Sequence, residues 1–127
     1  MFRLSTKSDY GLILLSNLYK SKKLVSIAAV AKKNKISTKF LAQIAGELKK
    51  AGYISAKEGA AGGYQLAKKP DQIKIIDVLK TLDGDLVRVD CFEDDHECHC
   101  GGKDIWMEMK EQLEATIGSK TVADLAA

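Results

Sequence analysis

The sequence predicts a mainly α-helical fold with a small β wing: a winged helix-turn-helix followed by a long C-terminal helix. Three observations lead to this. Helical patterns at residues 27–31 and 38–51 are separated by the break Asn34-Lys35-Ile36-Ser37. Two strand patterns follow at residues 53–57 and 64–67, joined by Glu58-Gly59-Ala60-Ala61-Gly62-Gly63, the composition of a hairpin link. A single narrow apolar stripe then runs along residues 105–117, outside that unit. The chain divides into a winged module at residues 1–84, a cysteine-rich segment at 85–103, and a dimerisation helix with a tail at 104–127.

Taken in order, Ser5 or Thr6 caps a helix over residues 7–20, with Leu12, Leu15 and Tyr19 on one face and Ile13 and Leu14 beside them. Asp9 falls in its first turn, where a carboxylate suits the positive end of the helix dipole. Residues 20–23 are a polar link, and Leu24-Val25 reads as a short edge strand. Ser37 is a good N-cap for the next long helix, because its hydroxyl accepts from a backbone N–H two or three residues on. Gly52 suits the left-handed position past its end. Phe40, Leu41, Ile44, Ala45 and Leu48 share one face of this helix, which leaves Thr38, Lys39, Ala42, Gln43, Gly46 and Lys50 outward. A helix that buries one face and presents small, amide and cationic side chains on the other suits a reader of the DNA major groove. The candidate DNA contacts are Ser37, Thr38, Lys39, Gln43 and Lys50 on this helix and Lys57 and Tyr64 on the wing, with Lys39 and Gln43 reaching bases.

Charge supports that reading. Residues 1–70 hold fourteen Lys or Arg against three Asp or Glu, while residues 71–127 hold six against fourteen. A cationic excess that ends with the wing is the electrostatic footprint of a phosphate-binding surface. Beyond Pro70-Asp71, a helix over residues 73–82 ends at Asp83-Gly84, and its apolar positions 75, 76, 79 and 82 close the core behind the winged module.

All three cysteines of the chain and both histidines lie in the stretch Cys91-Phe-Glu-Asp-Asp-His96-Glu-Cys98-His99-Cys100. No targeting segment and no apolar run of about 20 residues is present, so a cytoplasmic protein off the membrane is expected. In that reducing compartment, clustered thiols point to metal or redox chemistry rather than a disulfide. Thiolates suit iron–sulfur, zinc or cuprous centres, and an imidazole or carboxylate could complete the coordination. No phosphate loop and no nucleophile–base constellation is found, which argues against an enzyme. Asp104 can cap the last helix, over residues 105–117. Ile105 or Trp106, Met109, Leu113 and Ile117 recur on it at about four-residue spacing, the pattern of a helix that packs against a partner helix. The same stripe could fold back on its own core. Residues 121–125 read as a docked tail.

Nearly the whole chain, in order, resembles the Rrf-two family of winged-helix transcription regulators, which includes IscR-like cluster-assembly regulators and NsrR-like nitric-oxide sensors. The matching stretches are 3–12, 36–43, 48–54, Gly62-Gly63-Tyr64-Gln65-Leu66, 77–84, the three-cysteine segment and 121–125. The resemblance implies a homodimer on a palindromic operator in double-stranded DNA. It also implies a [2Fe–2S] or [4Fe–4S] cluster held by Cys91, Cys98 and Cys100 with a fourth ligand, sensing redox, iron or nitric oxide status, in a protein that acts as a repressor. In NsrR-like members that ligand is an aspartate of the first helix, the place of Asp9 here. In IscR-like members it is a histidine where this chain has Lys103, so Asp9 is preferred, with His99 or His96 in reserve. Two departures stand out: only His99 separates Cys98 from Cys100, and Glu58 stands where the family's wing has an arginine, with Lys57 beside it. A regulator of the same fold using bare thiols or zinc is the alternative, and a metal-carrying scaffold or enzyme without DNA binding the second.

Overall fold

The computed structural model describes residues 5–84 and 102–125. Helices α1 (Thr6–Lys20), α2 (Ile27–Asn34) and α3 (Thr38–Lys50) are followed by strands β1 (Ile54–Lys57) and β2 (Gly63–Leu66), then α4 (Ile75–Asp83) and α5 (Lys103–Ile117). Short 3₁₀ turns lie at Pro70–Gln72 and Val122–Leu125. The strands pair antiparallel, Ile54 opposite Leu66 and Lys57 opposite Gly63. No helix among the described residues is long and apolar enough to cross a membrane. The fold class is the one expected: helices with a two-stranded wing.

One core serves the winged module. Leu14 and Leu15 of α1, Leu41, Ile44, Ala45 and Leu48 of α3, and Val78 of α4 are fully buried in it; each large side chain contributes roughly 1.5–3 kcal/mol on leaving water. On α1 the buried face is Ser8, Gly11, Leu14, Leu15 and Leu18, not the Leu12–Leu15–Tyr19 stripe expected; Leu12 and Tyr19 are half-buried. Small residues explain the rotation. A side chain on Gly11 would land on Leu82 Cδ1, beside Ile44 Cγ2 at 3.7 Å, so α1, α3 and α4 pack closely here and any larger residue requires Leu82 to move. A count of apolar residues alone does not see it.

The helix expected from residue 73 begins at Ile75, because the tail claims the backbone before it. Lys74 pairs antiparallel with Thr121. The Ile75 N–H donates to Lys120 O at 3.1 Å, and the Val122 N–H donates to Ile73 O at 2.9 Å. Ile73 and Val122 are both fully buried, so the docked tail is part of the module's core. At the other boundary, Asp104 does not cap α5. Gly102 occupies the N-cap with no side-chain hydrogen bond, and Asp104 sits exposed in the first turn.

Asp83 clasps the end of α4 to the start of α1. Ser5 Oγ donates to its carboxylate at 2.6–2.7 Å, and Ser8 Oγ donates to it as well. Ser5 Oγ also accepts from the Ser8 N–H at 3.1 Å, capping α1. Burial opposes the charged form of Asp83, but the hydrogen bonds from Ser5 and Ser8 and the charge of Lys7 outweigh it, holding the carboxyl below the usual carboxylate range. A depressed folded pKa stabilises the fold above the unfolded value of about 3.9, and that contribution fades as pH falls through the folded value. Asp83→Ala is expected to cost about 1.5–3 kcal/mol at neutral pH in urea denaturation, with the gap from the parent shrinking below about pH 4. An unchanged midpoint at neutral pH would show that the clasp contributes nothing.

Candidate nucleic-acid interface and cysteine segment

The helix-turn-helix is fixed by local backbone chemistry. Lys35 adopts a left-handed conformation (φ 56°) after α2, and the Ile36 N–H reaches back to Ala31 O at 2.9 Å. Ile36 is thereby buried under the turn. Ser37 then caps α3, its hydroxyl accepting from the Phe40 N–H at 3.3 Å. The ring of Phe40 meets Tyr10 of α1 edge-on at 5.7 Å, which anchors the first turn of α3. At the far end Gly52 is left-handed (φ 89°). Its N–H donates to Lys49 O at 3.0 Å and the Tyr53 N–H donates to Leu48 O at 3.1 Å, the paired bonds of a Schellman termination.

The wing is held to the body by Val25. Its N–H and C=O pair with those of Tyr64 at 2.9 and 2.8 Å, the edge-strand role expected of Leu24-Val25 reduced to one bridge. Gly63 (φ 154°) makes this approach possible, since a Cβ there would lie 2.8 Å from Val25 O.

Ser37, Thr38, Lys39, Gln43 and Lys50 are all exposed, as is Lys57 at the end of β1. Tyr64 on the wing is half-buried and packs partly against the core. It also borders a groove between α3 and the wing, lined by Lys49, Lys57, Glu58 and the wing glycines. Lys49, not among the expected contacts, belongs to this surface; its place beside Lys50 in a basic last turn was the available signal. Lys39, Lys49, Lys50 and Lys57 form no ion pair among the described residues. Glu47, the one acid of α3, is paired with Lys7 at 2.7 Å.

Cys91, Cys98, Cys100, His96 and His99 lie outside the described residues, and among the described residues no cluster of three or more His, Cys, Asp or Glu could hold a metal. Asp9 is exposed on α1, at the edge of a groove with Leu12, Ile13, Asn17 and Lys33. Its carboxylate makes no hydrogen bond or ion pair with the described residues. On α5, Ile105 and Met109 are 61% and 39% exposed and line an apolar groove with Leu113 and Thr116. Trp106 is half-buried. Ile117, at the end of the same stripe, is half-buried and packs partly against the winged core.

Comparison with known proteins agrees with this architecture. HTH-type transcriptional regulator CymR of Bacillus subtilis is 30% identical over 126 residues, covering 98% of this chain and 89% of the relative. Its solved structure, described as that of the global cysteine regulator of B. subtilis, superposes with a TM-score of 0.86 over 99% of this chain and 97% of that one. HTH-type transcriptional regulator NsrR of Shouchella clausii is 38% identical over 92 residues, 71% of this chain and 62% of the relative. The structure of T. potens IscR is 31% identical with a TM-score of 0.76, covering 98% of this chain and 85% of that one. These relatives are transcriptional regulators, not enzymes. The family model for Rrf2, described as an iron-dependent transcriptional regulator, matches residues 4–127, and the chain belongs to the Rrf2 family of transcriptional regulators.

Proposed function

We propose that this DNA-binding regulator acts as a homodimeric repressor on a palindromic operator, and that an iron–sulfur cluster sets its affinity. The observation that supports DNA reading most is the outward face of α3, where Lys39, Gln43 and Lys50 are exposed and the lysines have no ion-pair partner among the described residues. Gln43 can bond an adenine edge through two hydrogen bonds, and Lys39 a guanine. Lys49 and Lys57, on either side of the groove beside the wing, suit phosphate. The exposed apolar groove of α5 supports a second copy packed against it, which would place two reading helices on two half-sites.

The donor set fits a cluster. Cys91, Cys98 and Cys100 supply soft thiolates, and the Asp9 carboxylate is unengaged among the described residues, as a fourth ligand from α1 requires. When bound, the cluster supplies an iron centre that changes with redox state, iron supply or nitric oxide. The chain's own part is connectivity. The cysteine segment follows α4, which Asp83 clasps to the reading module, and precedes α5. A change in its conformation therefore acts at the joint between the reading helices and the dimer helix; coupling requires two dimer states with different DNA affinity. The near full-length likeness to CymR favours one second reading, a regulator that uses these thiols without a cluster.

Anaerobic purification followed by iron, sulfide and zinc assays separates the two. A brown protein with stoichiometric iron and sulfide supports the cluster; a colourless protein without them supports bare thiols, or zinc where zinc is found. Base reading is tested by Gln43→Ala, which is expected to cost about 1–3 kcal/mol on operator DNA and to relax preference at one position. An equal loss on mixed-sequence duplex would assign Gln43 to the DNA backbone.

A further inference from the structure

The outward stripe of α3 contains a carboxylate where a DNA-reading helix has reason to avoid one. Glu47 lies four residues past Gln43 and eight past Lys39, and three before Lys50, so it shares their side of the helix. It is exposed. Lys7, from the first turns of α1, reaches it from outside the helix: Nζ lies 2.8 Å from one carboxylate oxygen and 2.7 Å from the other. Both side chains remain substantially solvent-exposed, at 30% and 44%. An exposed pair of this kind contributes little to folding, typically about 0.2–1 kcal/mol. The same pair also acts on a polyanion approaching that face, because an unpaired carboxylate near the phosphates repels them wherever salt screening is weak.

We propose that Lys7 is a positioning residue for DNA binding: by pairing with Glu47 it neutralises the one carboxylate on the reading stripe of α3 and holds it away from the phosphate path. The inference rests on the reading of α3 as the DNA-contacting helix. Lys7 then supports affinity without contacting DNA itself, and Glu47 contributes no base contact.

The test uses the full-length protein and fluorescence anisotropy with two probes, a labelled mixed-sequence duplex of about 30 base pairs and an operator obtained by selection from a randomised duplex pool. Lys7→Ala leaves Glu47 unpaired and is expected to weaken both probes by about three- to fivefold at low salt, with a salt slope unchanged to within about half an ion because no phosphate contact is lost. Glu47→Gln is expected to strengthen both by a similar factor. The double variant Lys7→Ala/Glu47→Gln is expected to return affinity and salt slope close to the parent, the non-additivity of a coupled pair. A double variant as weak as Lys7→Ala would mean that Lys7 contacts phosphate directly, and would overturn the proposal. So would a Glu47→Gln variant that loses operator binding alone, since Glu47 would then read a base. Thermal melts of all three variants identify any loss through unfolding, and Glu47→Gln, which removes no contact of α1 with Asp83, retains the test if Lys7→Ala is unstable. A parent protein that bound neither probe would refute the DNA-binding reading itself, a result distinct from both.

Discussion

Replacing Met109 and Leu113 together by glutamate is expected to make the protein monomeric and to weaken operator binding by about 100-fold or more. Ile105 and Met109 are exposed on α5 beside Leu113 and Thr116, and a carboxylate pair placed there would face its own copy across a two-fold axis. A buried like-charge cluster at a dimer seam costs more than such an interface can absorb. The winged module does not depend on these positions: its core is built from α1, α2, α3, β1, α4 and the tail, and α5 packs against it through Ile117. Circular dichroism should therefore show the parental helix content, while sedimentation equilibrium shows half the mass. Affinity falls because two half-sites bound by one molecule gain an effective concentration that a monomer lacks. A variant that remained dimeric would place the seam elsewhere.

Serine at Cys91, Cys98 or Cys100 is expected to lower the iron content of anaerobically purified protein by at least about tenfold. Changes in groups that merely support a ligand already cost about 10–100-fold in metal affinity, and replacing a thiolate by a hydroxyl removes the soft donor itself. Asp9→Ala should act in the same direction, and Asp9→Cys should retain iron, since it keeps an anionic donor at the same place on α1. Stability should respond little to Asp9, which is exposed and whose carboxylate makes no hydrogen bond among the described residues. Iron retained in full by all three serine variants would exclude these thiols as ligands.

Much of the fold could be read directly from residue types. Ser5, Ser37 and Gly52 announce helix ends because each satisfies backbone groups that a helix leaves open, and the structure uses all three in that way. The buried stripe Leu41–Ile44–Ala45–Leu48 and the exposed stripe of α3 follow from helical spacing alone. What escaped is non-local or small. The face of α1 is set by Ser8 and Gly11, which carry no hydrophobic signal. Lys35 bends the turn in a conformation for which lysine has no preference. The late start of α4 depends on hydrogen bonds from residues 120–122. Tyr64 and Ile117 each pack partly against the core, a choice of neighbour that spacing does not make. The Lys7–Glu47 pair joins residues 40 positions apart, beyond any local pattern.

On the proposed function, the lysine-bearing α3 and wing grip the duplex while the cysteine segment decides how strongly. The most direct measurement is anaerobic fluorescence anisotropy of one operator fragment with holo protein and with the same preparation after chelation of its iron, at equal salt and protein concentration. The two affinities are expected to differ by about tenfold or more, within the range of ordinary allosteric coupling, with mixed-sequence duplex much less affected. Equal affinity of the two preparations for the operator would contradict that function.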